Sequence, residues 1–128
     1  MAQSTGVRGD FTLGNAGVDL STKTFLGVYL DTANVVQVST DSIRPMGILQ
    51  NKPKLGEACA IRTQGTSKMV VNGISSVSNI AIGDKLKSDA SGRGIKASSD
   101  GDEVCGIALQ ASTATDEIIE VAVVNRQG

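Results

Sequence analysis

The sequence predicts an all-β fold: a small sandwich or barrel built from two related β-units, preceded by an extended N-terminal arm. Three observations carry this. The 15 glycines are spread along the 128 residues, often beside Asp, Asn or Ser, and such punctuation at roughly 8–12-residue spacing marks many short strands. The apolar runs between them are short and rich in Val and Ile, which suit a pleated, half-buried surface. The second half of the chain also reads as a variant of the first.

The elements follow in order. Residues 1–24 are polar, Gly-rich and aperiodic, with an isolated Phe11, Thr12, Leu13. They read as an arm ordered by a partner, with an ordinary frayed terminus as the alternative. Strands are expected at 25–30, 35–39, 46–50, 58–64, 66–72, 85–88, 95–98, 105–110 and 117–124. Within 74–82, Ile74, Val77 and Ile80 are three apart, enough for one helical turn. Residues 25–128 are then a single β-domain.

Its internal repeat runs over about 27–65 and 83–125. At an offset of 59, VQVSTD at 36–41 lies over IKASSD at 95–100, and Met46, Gly47, Ile48 over Cys105, Gly106, Ile107. One added residue brings Glu57 over Glu117, and Cys59, Ile61 and Thr63 over Ile119, Val121 and Val123. Strand parity survives the alignment, and parity decides which face each side chain takes. The added residue is expected inside a strand pair, absorbed by a β-bulge.

Composition excludes several function classes. Net charge is −1 with no basic cluster, which argues against a partner chosen by charge, such as DNA or an anionic membrane. Phe11, Phe25 and Tyr29 are the only aromatics, too few for a nucleic-acid stacking platform. No apolar run approaches a membrane span, and the first residues lack a signal-peptide core. Two cysteines, Cys59 and Cys105, leave a disulfide open, with two buried thiols in a reducing compartment the favoured reading.

Catalytic groups are sparse. With no histidine, Ser-His-Asp and Cys-His arrangements are impossible, and a zinc site lacks its usual nitrogen ligand. Ser67 and Lys68 are adjacent on a strand and face opposite ways, and a dyad of Lys85 with Ser88 is the other arrangement weighed. Gly92, Arg93, Gly94, Ile95, Lys96 lack the spacing of a phosphate loop and read as a two-residue hairpin turn. Asp84, Asp89, Asp100 and Asp102 lack the acidic ladder of a calcium loop and read as solvated turn residues. No catalytic, metal-ligating or cofactor-binding residue is assigned.

Gly83, Asp84, Lys85, Leu86, then Ser91 and Gly92, then 104–109 (VCGIAL) and 117–124 form a pattern of turns and strands. It resembles the small head-decoration, or capsid cement, proteins of tailed phages. The family pattern "I-x-x-G-D-x-L, turn, G-x-A-L-x-A, acidic turn, V-x-V" is filled by 80–86, 106–111 and 116–123, and the match spans roughly 27–124. The longer N-terminal segment departs from it, which leaves the mode of attachment open.

The resemblance implies a non-enzymatic virion protein without cofactors. It would be made in the host cytoplasm and bind the outside of the mature capsid. It would bridge neighbouring major capsid subunits, commonly as a homotrimer, touching neither nucleic acid nor membrane directly. The capsid contacts expected on the arm are Val7, Arg8, Phe11 and Leu13, with the arm adding a strand to a capsid sheet edge. The alternatives are another virion β-module, such as a head-fibre base or tail component, and a small β-domain that positions substrates in an enzyme complex.

Overall fold

The computed structural model describes residues 10–40, 43–74, 78–98 and 103–127. Ten strands are formed: β1 Asp10–Ala16, β2 Gly27–Leu30, β3 Val35–Val38, β4 Gly47–Leu49, β5 Ala58–Arg62, β6 Thr66–Asn72, β7 Lys85–Ser88, β8 Gly94–Lys96, β9 Glu103–Ala108 and β10 Thr115–Gln127. They close into two five-stranded barrels. The first has the order β1-β3-β2-β4-β5 and the second, read from β6, the order β6-β8-β7-β9-β10. Each barrel has one parallel pair, β1 with β3 and β6 with β8, and is otherwise antiparallel. The second barrel therefore repeats the first strand for strand.

The pairings give the residue equivalences. Val28 lies opposite Gly47 as Leu86 lies opposite Gly106. Ile61 lies opposite Leu49 as Val121 lies opposite Ala108. Asp31 and Asp89 build the same turn, each carboxylate accepting two backbone N–H groups, from Ala33 and Val35 in one case and from Ser91 and Arg93 in the other. Left-handed backbone falls in matched pairs: Phe25 (φ 71°) with Gly83 (93°), Asn34 (67°) with Gly92 (80°), and Gly56 (84°) with Asp116 (60°). Gly65 (φ 82°), between β5 and β6, completes the left-handed set among the described residues.

Each barrel has its own core. The first holds Ala16, Leu20, Val28, Val36, Leu49, Cys59 and Ile61. The second holds Met69, Val71, Ile80, Leu86, Cys105, Ala108, Ile119, Val121 and Val123, and also Ile48 from β4 of the first barrel, with Phe25 packed against it. Leu20 and Ile80 are equivalent plugs, held by hydrogen bonds to the carbonyls of Pro53 (2.9 Å) and Ser112 (2.9 Å). The two cysteines are free, buried and in different barrels.

Each expected strand has a counterpart, but the organisation differs in four respects. From Asp10 on, the expected arm belongs to the first barrel: β1 pairs with β5 and β3, and Leu20 is fully buried. The repeating unit is therefore longer than 27–65 and 83–125, because each copy opens with a further strand, β1 or β6. Second, Val36 is equivalent to Gly94 and not to Ile95, since these two lie opposite the last residues of β2 and β7 and beside Ala16 and Val71. A Cβ on Gly94 would sit 3.1 Å from Met69 Sδ, so the methionine supplies the volume that Val36 fills in the first barrel.

Third, the added residue is in a loop. Asn51 Oδ1 accepts from Ala60 N and Gln110 Oε1 from Glu120 N, so the copies stay in step to that point. They separate between Pro53 and Gly56 against Ser112 and Asp116. Fourth, no helix occurs among the described residues. Ile80 makes a β-bridge with Ser112, and Val77 lies outside the described residues.

Candidate functional site

The barrels meet through a short stretch of the first barrel pressed against the wall of the second. Val70 N donates to Phe25 O (3.0 Å) and Gly27 N to Gly92 O (2.9 Å). Gln50 Nε2 donates to Ser67 Oγ (2.9 Å) and Arg62 Nη1 to Thr66 O (2.9 Å). With Ile48 only 1% exposed, the junction has an apolar centre and a hydrogen-bonded rim, the anatomy of a permanent interface.

Two hollows flank this junction. One, of about 420 Å³, is lined by Lys23, Thr24 and Leu26 from the first barrel and Val70, Ser91, Arg93 and Asp116 from the second. Its charge is already paired: Arg93 Nε lies 2.9 Å from Asp89 and Nη1 3.1 Å from Asp116. The other, of about 410 Å³, is lined by Phe25, Lys68, Gln110, Ile118, Ile119 and Glu120. Neither places a nucleophile beside a base, the pairing that covalent chemistry requires.

The groups considered for chemistry are used structurally. Ser67 is buried and bonds to Lys68 O (2.8 Å), while Lys68 is exposed. Ser88 is buried and bonds to Asp89 O (2.9 Å), while Lys85 is exposed. Asp84 and Asp89 hold turns by accepting backbone N–H groups, whereas Asp100 and Asp102 lie outside the described residues. The Gly92–Lys96 stretch is a turn running into β8, closed by Gly92 N to Asp89 O (3.2 Å) and Asp89 N to Arg93 O (2.8 Å), one residue longer than a two-residue hairpin turn. Among the described residues no group of three metal-ligating side chains occurs. Burial pushes the Cys105 thiol up to about 12 and raises Cys59 as well, so neither is poised as a thiolate.

The residues expected to contact a capsid divide. Val7 and Arg8 lie outside the described residues. Phe11 is in β1, paired in register with Ile61. Leu13 sits at the bulge between Thr12 and Gly14 and packs half-buried on the first core, so its side chain is already engaged. What the sequence pattern did not mark is the set of exposed aliphatics: Leu55 and Ile82 are 68% and 71% exposed, and Val18, Met46, Leu109 and Ile118 are also exposed. Their signal is visible only against the repeat, because positions 82 and 109 are apolar where the equivalent Thr24 and Gln50 are polar.

A rigid double barrel whose polar groups are consumed by turns and by one internal junction belongs with structural modules. The family model described as phage cement protein matches residues 27–124. The chain belongs to the phage cement protein family, which makes it a structural protein of the phage capsid. Among solved structures, the fold is similar to the "gp8.5 N base" of the head fibre of bacteriophage phi29, with a TM-score of 0.66 and 12% identity over 95% of this chain and 98% of that one. Among curated proteins no sequence matches this chain.

Proposed function

We propose that this protein cements the mature phage head. It binds the outer surface, bridges neighbouring major capsid subunits and resists the pressure of packaged DNA. The observation that carries this reading is the family match, which runs across both barrels. The fold supplies a physical reason. A cement protein needs only higher affinity for the expanded lattice than for the immature one, together with a body stiff enough to transmit load. Two closed barrels joined through a shared core meet the second need. In this reading the protein is made in the host cytoplasm and acts as a homotrimer, whose three attachments would raise apparent affinity by about 10²–10⁴. Val7 and Arg8, with Phe11 where the segment enters β1, form part of the contact, while Leu13 is left to the core.

Purified protein mixed with mature and with immature heads tests this. Binding to mature heads, and a higher temperature for loss of packaged DNA, are expected. Equal failure to bind either head overturns it.

One observation favours a second reading, as the base of a head fibre: the fold likeness to such a base spans nearly the whole of both chains. Antibody labelling of virions separates the two. A continuous coat over the lattice supports cement, and isolated projections support a fibre base.

A further inference from the structure

The junction between the barrels uses two different faces. The first barrel contributes Phe25, Ile48 and Gln50, and the second receives them on the wall around Ser67, Val70 and Gly92. An interface of this heterologous kind is not consumed by pairing two units, because each unit still carries the half its neighbour used. Since the barrels are equivalent strand for strand, the open halves can be located. On the second barrel, Thr24, Phe25, Ile48 and Gln50 correspond to Ile82, Gly83, Ile107 and Leu109. On the first, Val70, Gly92 and Ile118 correspond to Asn15, Asn34 and Ala58.

The open face of the second barrel is more apolar than the face buried inside the molecule. Ile82 is 71% exposed and Leu109 42% exposed. They lie side by side, because they flank the Gly83 N to Ala108 O hydrogen bond of 2.8 Å. Adjacent exposed aliphatics are costly to leave in water, at roughly 25 cal/mol per Å² of apolar surface. The open wall of the first barrel complements them: Asn15, Asn34 and Ala58 are exposed, and all are small and uncharged.

We infer that the protein self-associates head to tail, the Ile82–Leu109 face of one copy seating on the Asn15–Ala58 wall of the next in imitation of the internal junction. The occupant is a second copy of this chain, because the same pair of faces is already joined within it. The intermolecular contact is the weaker of the two. In the first barrel the β1–β3 seam is closed by both Asn15–Val35 and Ala16–Val36, so the incoming copy is held by side chains without the main-chain bonds made to Val70 and Gly92. Assembly is therefore reversible and depends on concentration. The inference does not rest on which structure of the phage head the protein binds, and the trimer proposed above is one ring that such a contact builds.

Sedimentation velocity of the full chain over a concentration series tests it. The wild type is expected to form oligomers that dissociate on dilution. Ile82→Glu combined with Leu109→Glu, and separately Ala58→Arg, are expected to weaken assembly by about 100-fold or more. Their melting temperatures should stay unchanged, because all three side chains are exposed. An equimolar mixture of the two variants should form a heterodimer, since each brings one intact half, and should stop there. A wild type that stays monomeric at every concentration overturns the inference. So does assembly of either variant as strong as the wild type, or a mixture that stays monomeric.

Discussion

In the first barrel the parallel strands β1 and β3 meet at two residue pairs, Asn15–Val35 and Ala16–Val36. In the second barrel, β6 and β8 meet at one, Val71–Gly94. The groups that would extend that seam, Val70 N and Gly92 O, instead bind Phe25 O and Gly27 N of the first barrel. The second barrel is thus completed by the first, which closes its own seam. The difference teaches that a duplicated fold need not give two independent domains. One copy has given up part of its closure to hold the other in place, as a rigid body requires.

This comparison can be broken first at Ile48, which belongs by sequence to the first barrel and by packing to the second core. Ile48→Ala should cost about 2–5 kcal/mol. Calorimetry should still show one transition; separation into two would mean that the barrels are energetically independent. Gly92→Ala comes next. Its Cβ would lie 2.6 Å from Val38 Cγ1 and 3.1 Å from Gly27 O at a φ of 80°, so a loss of about 2–3 kcal/mol is expected by urea denaturation. At the equivalent Asn34 there is no such neighbour barrel.

A pH titration sharpens the comparison of the two cores. The Cys105 thiol is held protonated by burial, with its pKa raised from 9.0 to about 12. Its contribution is fully present below pH 9, where the unfolded thiol is also protonated, and is lost as pH rises toward 12. Stability measured at pH 10 should have fallen by about 1 kcal/mol from this group, a loss absent in Cys105→Ala. A native thiol that reacts rapidly with a disulfide reagent at pH 8 would contradict the assignment. Gly83→Ala meets no atom within 4 Å but must hold a φ of 93°, and should cost about 1 kcal/mol. Asn34→Gly has the smallest effect, within about 0.5 kcal/mol, because asparagine already tolerates the left-handed turn that Gly92 makes in the other copy.

Much of the fold was legible. Alternation of Val and Ile with Gly-Asp punctuation located strands such as β6 and β7 to the residue, because side-chain period and turn chemistry are local properties. The repeat was legible for the same reason, down to Glu57 and Glu117, which close equivalent loops through Lys54 N and Ser112 Oγ. The N-terminal strand was not. Asp10–Ala16 reads DFTLGNA, with polar residues and a mid-strand glycine where β-propensity is low, and it is a strand because β5 and β3 flank it. The aliphatic face at Ile82 and Leu109 was likewise invisible until the equivalence with Thr24 and Gln50 was known.

The sequence by itself determined that this protein is all β, that it is built twice from one pattern, and that it lacks histidine-based chemistry. Each of these follows from local periodicity, turn residues or inventory. Only the tertiary structure decided that each copy closes as a barrel, that the first copy begins at β1, and that Phe25 and Ile48 serve the second. Those outcomes depend on which strand edges and apolar faces find each other across the chain, and no local pattern encodes a partner more than a turn away.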